Sequence, residues 1–175
     1  MKELIPYTLQ DGLSQSGSYV LMLLEPLSRR QVPIIIGAAE AQAIMIAQQD
    51  VKTRRPLTHD LMARMMEAYG VSLQRVVIDH VSEGIFYSTL HLTDGFNERT
   101  LDSRTTDAIA LALRCKAPIM ADDRVIEETA VATPDDNSPR SLQQLEEELR
   151  RCEEREDYER AAELQRQIEQ LKKTP

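Results

Sequence analysis

The sequence lacks the features that mark several large classes of protein. No apolar run approaches the roughly 18 residues that a membrane-spanning helix needs, so we expect a cytoplasmic protein. A glycine-rich phosphate loop, a Ser-His-Asp nucleophile signature and the spacing of zinc ligands are all absent. These absences exclude P-loop nucleoside triphosphatases, elbow-type hydrolases and zinc fingers. The two cysteines, Cys115 and Cys152, have no metal-like spacing, and we expect both to be buried or half-buried thiols.

Positive charge is also scarce. The chain has 21 Lys and Arg residues against 29 Asp and Glu residues, which gives a formal net charge of -8. Sequence-independent binding of nucleic acid depends on Lys and Arg neutralising phosphates, so this balance argues against tight nonspecific coating of DNA. A local cationic site is still compatible with it. The segment "TRRPLTHDL", residues 53–61, gathers two arginines, a histidine and an aspartate at the start of a predicted helix.

The composition changes near residue 130. Up to residue 132, short β-rich runs alternate with helical segments, and we predict one globular domain. The segment "TPDDNSPR", residues 133–140, contains two prolines, two aspartates, an asparagine and a serine, which is typical of a solvated linker. Residues 141–175 are highly charged and read as helical throughout.

Within the first domain, apolar runs predict the strands. Residues 18–25 and 32–36 are continuous apolar runs, as expected of buried strands. Residues 73–81 and 85–92 flank a short turn that ends in glycine, which predicts an antiparallel hairpin. A third strand is predicted at residues 98–102.

Helical periodicity and end signals predict the helices. One helix follows Gly37 directly, and a second begins at Thr58 as its cap and stops at Gly70. We expect the methionines of this second helix to fill the core. A third helix has Thr105 or Thr106 as its cap. The predicted fold is α+β: a mixed, largely antiparallel sheet with two to three packed helices, followed by a C-terminal antiparallel helical hairpin.

Polar side chains gather around the predicted starts of these three helices. The group consists of Glu40, Arg55, Thr58, His59, Asp60, Asp102, Arg104 and Asp107. If the three helix N-termini converge in the fold, their free backbone N–H groups can bind one anionic group such as a phosphate. Spacing along the chain cannot show this convergence, so it is an assumption at this point.

Residue chemistry suggests roles for the members of this group. Arg55 and Arg104 can hold phosphate oxygens through paired hydrogen bonds, with Thr58 as a further candidate contact to substrate. His59 can act as a general base or protonate a leaving oxygen. The carboxylates that could hold Mg²⁺ or Mn²⁺ and complete a catalytic site are Glu40, Asp60, Asp102 and Asp107. The alternative is structural, with the same residues serving as helix caps, ion pairs and a hydrogen-bonded histidine.

Three stretches of the first domain carry a family resemblance. They are "PIIIGAAEAQAI" at residues 33–44, "RRPLTHDLM" at 54–62 and "LDSRTTDAIALALRCKAPI" at 101–119. Together they resemble the bifunctional nuclease family over roughly residues 1–130. The resemblance implies hydrolysis of DNA and RNA, and we expect a metal-assisted cleavage of phosphodiester bonds.

The C-terminal segment has a pattern of its own. Two apolar seams follow steps of 3, 4 and 3 residues, formed by Leu142, Leu145, Leu149 and Cys152 and by Ala161, Leu164, Ile168 and Leu171. Residues 154–171 resemble the UVR motif, a helical hairpin of excision-repair nuclease subunits and some Clp-associated proteins. A hairpin this short buries little apolar surface alone, so we expect a protein partner. The predicted partner-binding residues are Leu145, Leu149, Tyr158, Ala161, Leu164 and Ile168.

Two functions are therefore open from the sequence. The first is a metal-assisted nuclease with modest affinity for DNA or RNA and a steep salt dependence. The second is a noncatalytic adaptor whose globular domain forms a homo-oligomer and whose hairpin recruits a repair nuclease or a Clp-type partner. The hairpin could also pair with its own copy in such an oligomer.

Overall fold

A computed structural model describes residues 1–11 and 17–132, together with the single helical residue Gln165. Contacts between Cα atoms divide the chain into two units, Met1–Ala132 and Thr133–Pro175. The strands β1 to β8 are Lys2–Asp11, Ser18–Leu24, Arg30–Gly37, Ser72–Ser82, Ile85–Thr93, Glu98–Arg104, Ile119–Ala121 and Val131–Ala132. The helices α1 to α4 are Ala38–Gln48, Thr58–Ala68, Thr105–Cys115 and Asp123–Thr129.

The strands form one eight-stranded sheet in the order β6-β5-β4-β7-β1-β2-β3-β8. Neighbouring strands are antiparallel except β4 and β7, which run parallel with Val76 opposite Ile119. The short strand β7 therefore joins two antiparallel halves. The predicted hairpin is confirmed as β4 and β5, and its turn has positive φ at both Glu83 (52°) and Gly84 (78°), which suits the twist of the two strands.

The core lies between the sheet and the helices. The apolar run of β2 buries Leu21, Met22 and Leu23, as its continuous hydrophobicity predicts. Helix α3 contributes an unbroken buried stretch from Ala108 to Ala112, and it contacts strands β4 and β5 as well as helices α1 and α2. Helix α3 therefore links the sheet to helices α1 and α2.

The predicted α+β class is confirmed, with a mixed and mostly antiparallel sheet. The predicted helices are present, and the described residues contain a fourth, α4. Strands β1, β7 and β8 were not predicted from the sequence either. The short lengths of β7 and β8 explain why no periodic signal marks them, since two or three residues cannot show a period.

The predicted caps of two helices are wrong. The N-cap residues are Leu57 for α2 and Arg104 for α3, so Thr58 and Thr105 are the first helical residues. The backbone N–H of Leu57 has no partner within the helix, and it donates to Asp60 Oδ2 at 2.8 Å. The buried hydroxyl of Thr105 donates to the carbonyl oxygen of Phe86 at 3.0 Å, which ties the start of α3 to β5.

The expectation that the methionines of α2 fill the core is also wrong for two of them. Met62 and Met65 are exposed, whereas Met66 is half-buried against the core.

No helix among the described residues is both long enough and apolar enough to cross a membrane. The linker, the C-terminal hairpin and its six predicted partner-binding residues lie outside the described residues, so these predictions stay predictions.

Candidate functional site

The N-terminal turns of α1, α2 and α3 border one cleft. The cleft has a volume of about 850 Å³, and the C-terminal end of β6 also lines it. Its charged lining residues are Glu40, His59, Asp102, Arg104, Asp107 and Arg114. Helix α1 starts directly after strand β3, and α3 starts directly after β6, so the sheet places both helix starts at this point. The convergence that the sequence left as an assumption is present in the fold.

Asp107 is the centre of the polar contacts in this cleft. Its Oδ1 atom lies 3.1 Å from Nε2 of His59, and its Oδ2 atom accepts a hydrogen bond of 2.7 Å from Nε of Arg104. Partial burial raises the pKa of Asp107, but the hydrogen bonds from Arg104 and His59 outweigh burial and hold it below its ordinary value. The carboxylate is therefore ionised at neutral pH.

The ionised Asp107 determines the tautomer of His59. A carboxylate can only accept hydrogen bonds, so Nε2 of His59 must carry the proton that points at Asp107. In the neutral imidazole, Nδ1 is then the basic nitrogen. The side chain of His59 is only 13% exposed, which limits the orientations it can take. This is the orienting arrangement that a general base requires.

Arg104 connects the starts of two helices. Its Nε atom donates to Asp107, and its Nη1 atom donates to Oε1 of Glu40 at 3.3 Å. The hydrogen bond to Asp107, with the nearby charge of that group, raises the pKa of Arg104. Nη2 has no partner among the residues the structure describes. The side chain of Arg104 is 69% exposed and lines the cleft.

Two predicted site residues are placed elsewhere. Asp60 accepts hydrogen bonds from Leu57 N–H and, at 2.5 Å, from Nε of Arg114, and it does not line the cleft. The hydrogen bond from Arg114 is the main cause that lowers the pKa of Asp60. Arg55 is exposed outside the cleft, and the described contact it makes is through its carbonyl oxygen, which accepts from Thr53 Oγ1.

The predicted metal ligands do not form a closed site. Among residues 1–11 and 17–132, no group of three or more His, Cys, Asp and Glu side chains is arranged to hold a metal ion. Glu40 and Asp107 are both engaged by Arg104, and Asp60 is engaged by Arg114. Asp102 lines the cleft, is exposed and forms no ion pair with a described residue.

Sequence reasoning missed Arg114, which links three helices. Beside its bond to Asp60 on α2, its Nη1 atom donates to the carbonyl oxygens of Ala43 on α1 (3.2 Å) and Ala110 on α3 (2.8 Å). The available signal was its position seven residues after Asp107, which puts both on one face of a largely apolar helix. A lone arginine on that face needs partners from neighbouring elements.

Comparison with protein families identifies the family of the chain. The family model described as the Bifunctional nuclease domain matches residues 21–134, which is more than half of the chain. The chain belongs to this bifunctional nuclease domain family. The family model described as the UvrB/uvrC motif matches residues 139–174. Both resemblances seen in the sequence are thereby confirmed.

Individual relatives of this bifunctional nuclease domain come from bacteria and plants. The chain is 38% identical over 118 residues to Uncharacterized protein Rv1829 of Mycobacterium tuberculosis, covering 67% of this chain and 70% of that protein. It is 28% identical over 109 residues to Bifunctional nuclease 1 of Oryza sativa subsp. indica, covering 61% of this chain and 33% of that protein. It is 25% identical over 126 residues to Bifunctional nuclease 1 of Arabidopsis thaliana, covering 66% of this chain and 39% of that protein. The chain thus spans about a third of each plant protein.

Proposed function

We propose that this protein hydrolyses phosphodiester bonds of DNA or RNA in the cleft where α1, α2 and α3 begin. The observation that carries the proposal is the contact of His59 with Asp107, which lies beside the exposed guanidinium of Arg104. The family membership and the names of the plant relatives support a nuclease over other hydrolases of anionic esters.

His59, Asp107 and Arg104 have different roles in the proposed reaction. Nδ1 of His59 removes a proton from the water that attacks phosphorus, and Asp107 stabilises the imidazolium that forms. The bond from phosphorus to the leaving sugar oxygen breaks, that oxygen takes a proton from solvent, and the imidazolium returns its proton to solvent. Nη2 of Arg104 donates to the phosphate oxygens on which charge develops in the transition state. Because Asp107 contacts both His59 and Arg104, it also fixes the base relative to the guanidinium that binds the phosphate.

A divalent cation is part of this proposal. Mg²⁺ and Mn²⁺ need only one or two protein carboxylates when water and substrate phosphate supply the other ligands. Asp102 suits this use because it lines the cleft and its carboxylate forms no ion pair with a Lys, Arg or His side chain that the structure describes. When bound, the cation would stabilise negative charge on the phosphate oxygens. The chelator EDTA should then abolish cleavage, and Asp102→Asn should raise the Mg²⁺ concentration needed for half-maximal cleavage.

The test compares substitutions of two arginines on strand β6, Arg104 and Arg99. Arg104→Ala should lower kcat for cleavage of single-stranded DNA and RNA about 100-fold or more, because a donor to the developing charge is lost. His59→Ala should lower it by about 10² to 10⁴. Arg99→Ala is the matched control, since Arg99 is exposed on β6 outside the cleft. All three variants should keep the melting temperature of the wild type within a few degrees.

The control also guards against a contaminating nuclease. Equal cleavage by wild type, Arg104→Ala and His59→Ala preparations would place the activity outside this cleft and refute the proposal. Loss of cleavage in Arg99→Ala as well would mean that general loss of positive charge, and not the cleft, explains the effect.

A second candidate function is recruitment of a protein partner, which the match to the UvrB/uvrC motif favours. We propose that Leu164 and Ile168 contact an excision-repair nuclease subunit or a Clp-type chaperone. The full-length double variant Leu164→Asp/Ile168→Asp should lose binding to the purified partner, whereas Glu163→Gln should keep it. Sedimentation velocity of the same proteins tests the expected homo-oligomer. Unchanged binding in the double variant would contradict the assignment.

A further inference from the structure

A second cavity adjoins the cleft and has no part in the chemistry described above. It has a volume of about 510 Å³ and lies between the segment that precedes α2, the body of α2 and the end of α3. Ile46, Thr53 and Arg114 line both this cavity and the cleft, so the two hollows are neighbours that share one wall.

The charge of the second cavity is opposite to that of the protein as a whole. Lys52, Arg64 and Lys116 line it, and none of them forms an ion pair with a residue that the structure describes. The two acidic lining residues are Asp50 and Asp60, and Asp60 is already neutralised by Arg114. The chain has a formal net charge of -8, but the three cationic side chains that line this hollow make the local electrostatic potential positive. A positive potential attracts an anion.

The shared wall contains a buried polar group without a partner. The side chain of Arg114 is 8% exposed, and its Nη2 atom has no hydrogen-bond partner among the described residues. A buried N–H group that stays unpaired is energetically costly, so such groups are normally satisfied. The carbonyl oxygen of Ala43 and the carboxylate of Asp60 hold this guanidinium in place in the wall between the two hollows.

We propose that the second cavity binds a neighbouring phosphate of the nucleic-acid strand whose scissile phosphate lies in the cleft. This inference rests on the proposed nuclease function. Thr53 lies on the shared wall. A nucleic-acid strand whose scissile phosphate is bound at Arg104 and which passes Thr53 has its next phosphate in the cavity lined by Lys52, Arg64 and Lys116. The described lining of the cavity includes no aromatic side chain on which a base could stack, so the contact is to the phosphate backbone and not to bases.

This subsite explains how an acidic protein can hold a polyanion. Each phosphate neutralised on a single strand contributes about 0.7 to the slope of log affinity against log salt concentration. Lys52→Gln/Arg64→Gln should therefore lower the magnitude of that slope by about 0.7, the contribution of one phosphate, for a fluorescent single-stranded oligonucleotide. The matched control is Arg99→Gln/Arg124→Gln, which removes the same charge at exposed positions outside both cavities and should leave the slope unchanged.

A second substrate separates the subsite from the chemistry. Bis(p-nitrophenyl) phosphate has one phosphodiester group and cannot reach both cavities. Its hydrolysis should be unchanged in Lys52→Gln/Arg64→Gln, while KM for the oligonucleotide rises. If wild type hydrolyses neither substrate, the proposed nuclease function fails, and the salt slope still decides whether the subsite exists.

Two results would overturn the subsite. One is an equal salt slope for wild type and Lys52→Gln/Arg64→Gln. The other is calorimetric binding of inorganic pyrophosphate that the double variant loses while oligonucleotide binding is unaffected. The second result would assign the cavity to a small phosphorylated ligand and not to the nucleic-acid strand.

Discussion

Helices α2 and α3 have the same length and supply the two halves of one site, yet the protein holds them in different ways. Each has 11 residues, and both begin beside the cleft. Helix α3 buries six residues, whereas α2 has none in the buried class. Ile109 on α3 is 0% exposed and Met65 on α2 is 52% exposed. Hydrophobic burial therefore fixes Asp107, while His59 sits on a helix at the margin of the core.

Polar contacts compensate for the weak burial of α2. Asp60 pairs with Arg114, and His59 contacts Asp107, so two polar contacts join the first turn of α2 to α3. Helices that bury little apolar area belong to the parts of a protein that open locally at low free energy. The geometry between His59 and Asp107 thus depends on a few contacts, and these can be removed one at a time.

The largest expected effect tests the contrast in burial itself. Ile109→Ala should lower the free energy of unfolding by about 2 to 5 kcal/mol, because it removes buried methylene groups and leaves a cavity. Met65→Ala should change it by no more than about 0.5 kcal/mol, as is usual for exposed positions. Urea denaturation of both variants measures the difference. Similar losses in the two variants would show that α2 is buried in the protein in solution.

A smaller effect is expected from removing the link between the helices. Arg114→Leu leaves Asp60 without its main partner, and breaking a well-buried pair costs about 3 to 5 kcal/mol. Since the Asp60 side chain is 26% exposed, we expect a loss of about 2 to 3 kcal/mol.

Hydrogen exchange locates the effect of that substitution. In Arg114→Leu, amides of α2 should exchange faster while amides in the middle of α3 keep their protection relative to global stability. Arg124→Leu is the matched control, because Arg124 is exposed on α4 and should affect neither helix. Equal acceleration in α2 and α3 would mean that Arg114 stabilises the whole core and not the attachment of one helix.

The difference in burial between α2 and α3 could be predicted from the sequence only in part. Continuous apolar runs identified β2 and β3, and helical periodicity identified α1, α2 and α3, since burial on one side leaves a regular pattern. The same pattern misplaced the methionines of α2. Apolar spacing shows that a helix has an apolar face, but it does not show whether another element covers that face.

The charged residues were harder to predict than the elements that carry them. His59, Arg104 and Asp107 could be proposed together only on the assumption that three helix starts converge, which the spacing of residues along the chain could not show and the fold bears out. Which charges pair is decided by distances across helices, and for that reason Asp60 was assigned to the site although it pairs with Arg114. The second cavity was invisible for the same reason, because Lys52, Arg64 and Lys116 meet only in the folded chain.

The smallest expected effect concerns the pH dependence of the contact between α2 and α3. The pKa of Asp107 is lower in the folded protein than its ordinary value of 3.8. A lowered pKa means that the folded state favours the ionised form, so its contribution to stability is complete above about pH 4 and is lost as pH falls through the lower, folded value. Stability of the wild type should therefore decrease with acid in this range.

The variant Asp107→Asn removes this titration. At pH 7 it should be less stable than wild type by about 1 to 2 kcal/mol, because charge-assisted hydrogen bonds to Arg104 and His59 are weakened. The difference should shrink as the pH falls below 4, since the wild-type carboxyl then becomes neutral as well. Gln42→Asn, an uncharged change in the same cleft, should follow the wild-type pH profile. A constant difference between wild type and Asp107→Asn from pH 7 to pH 2 would mean that the ionised carboxylate does not hold the two helices together.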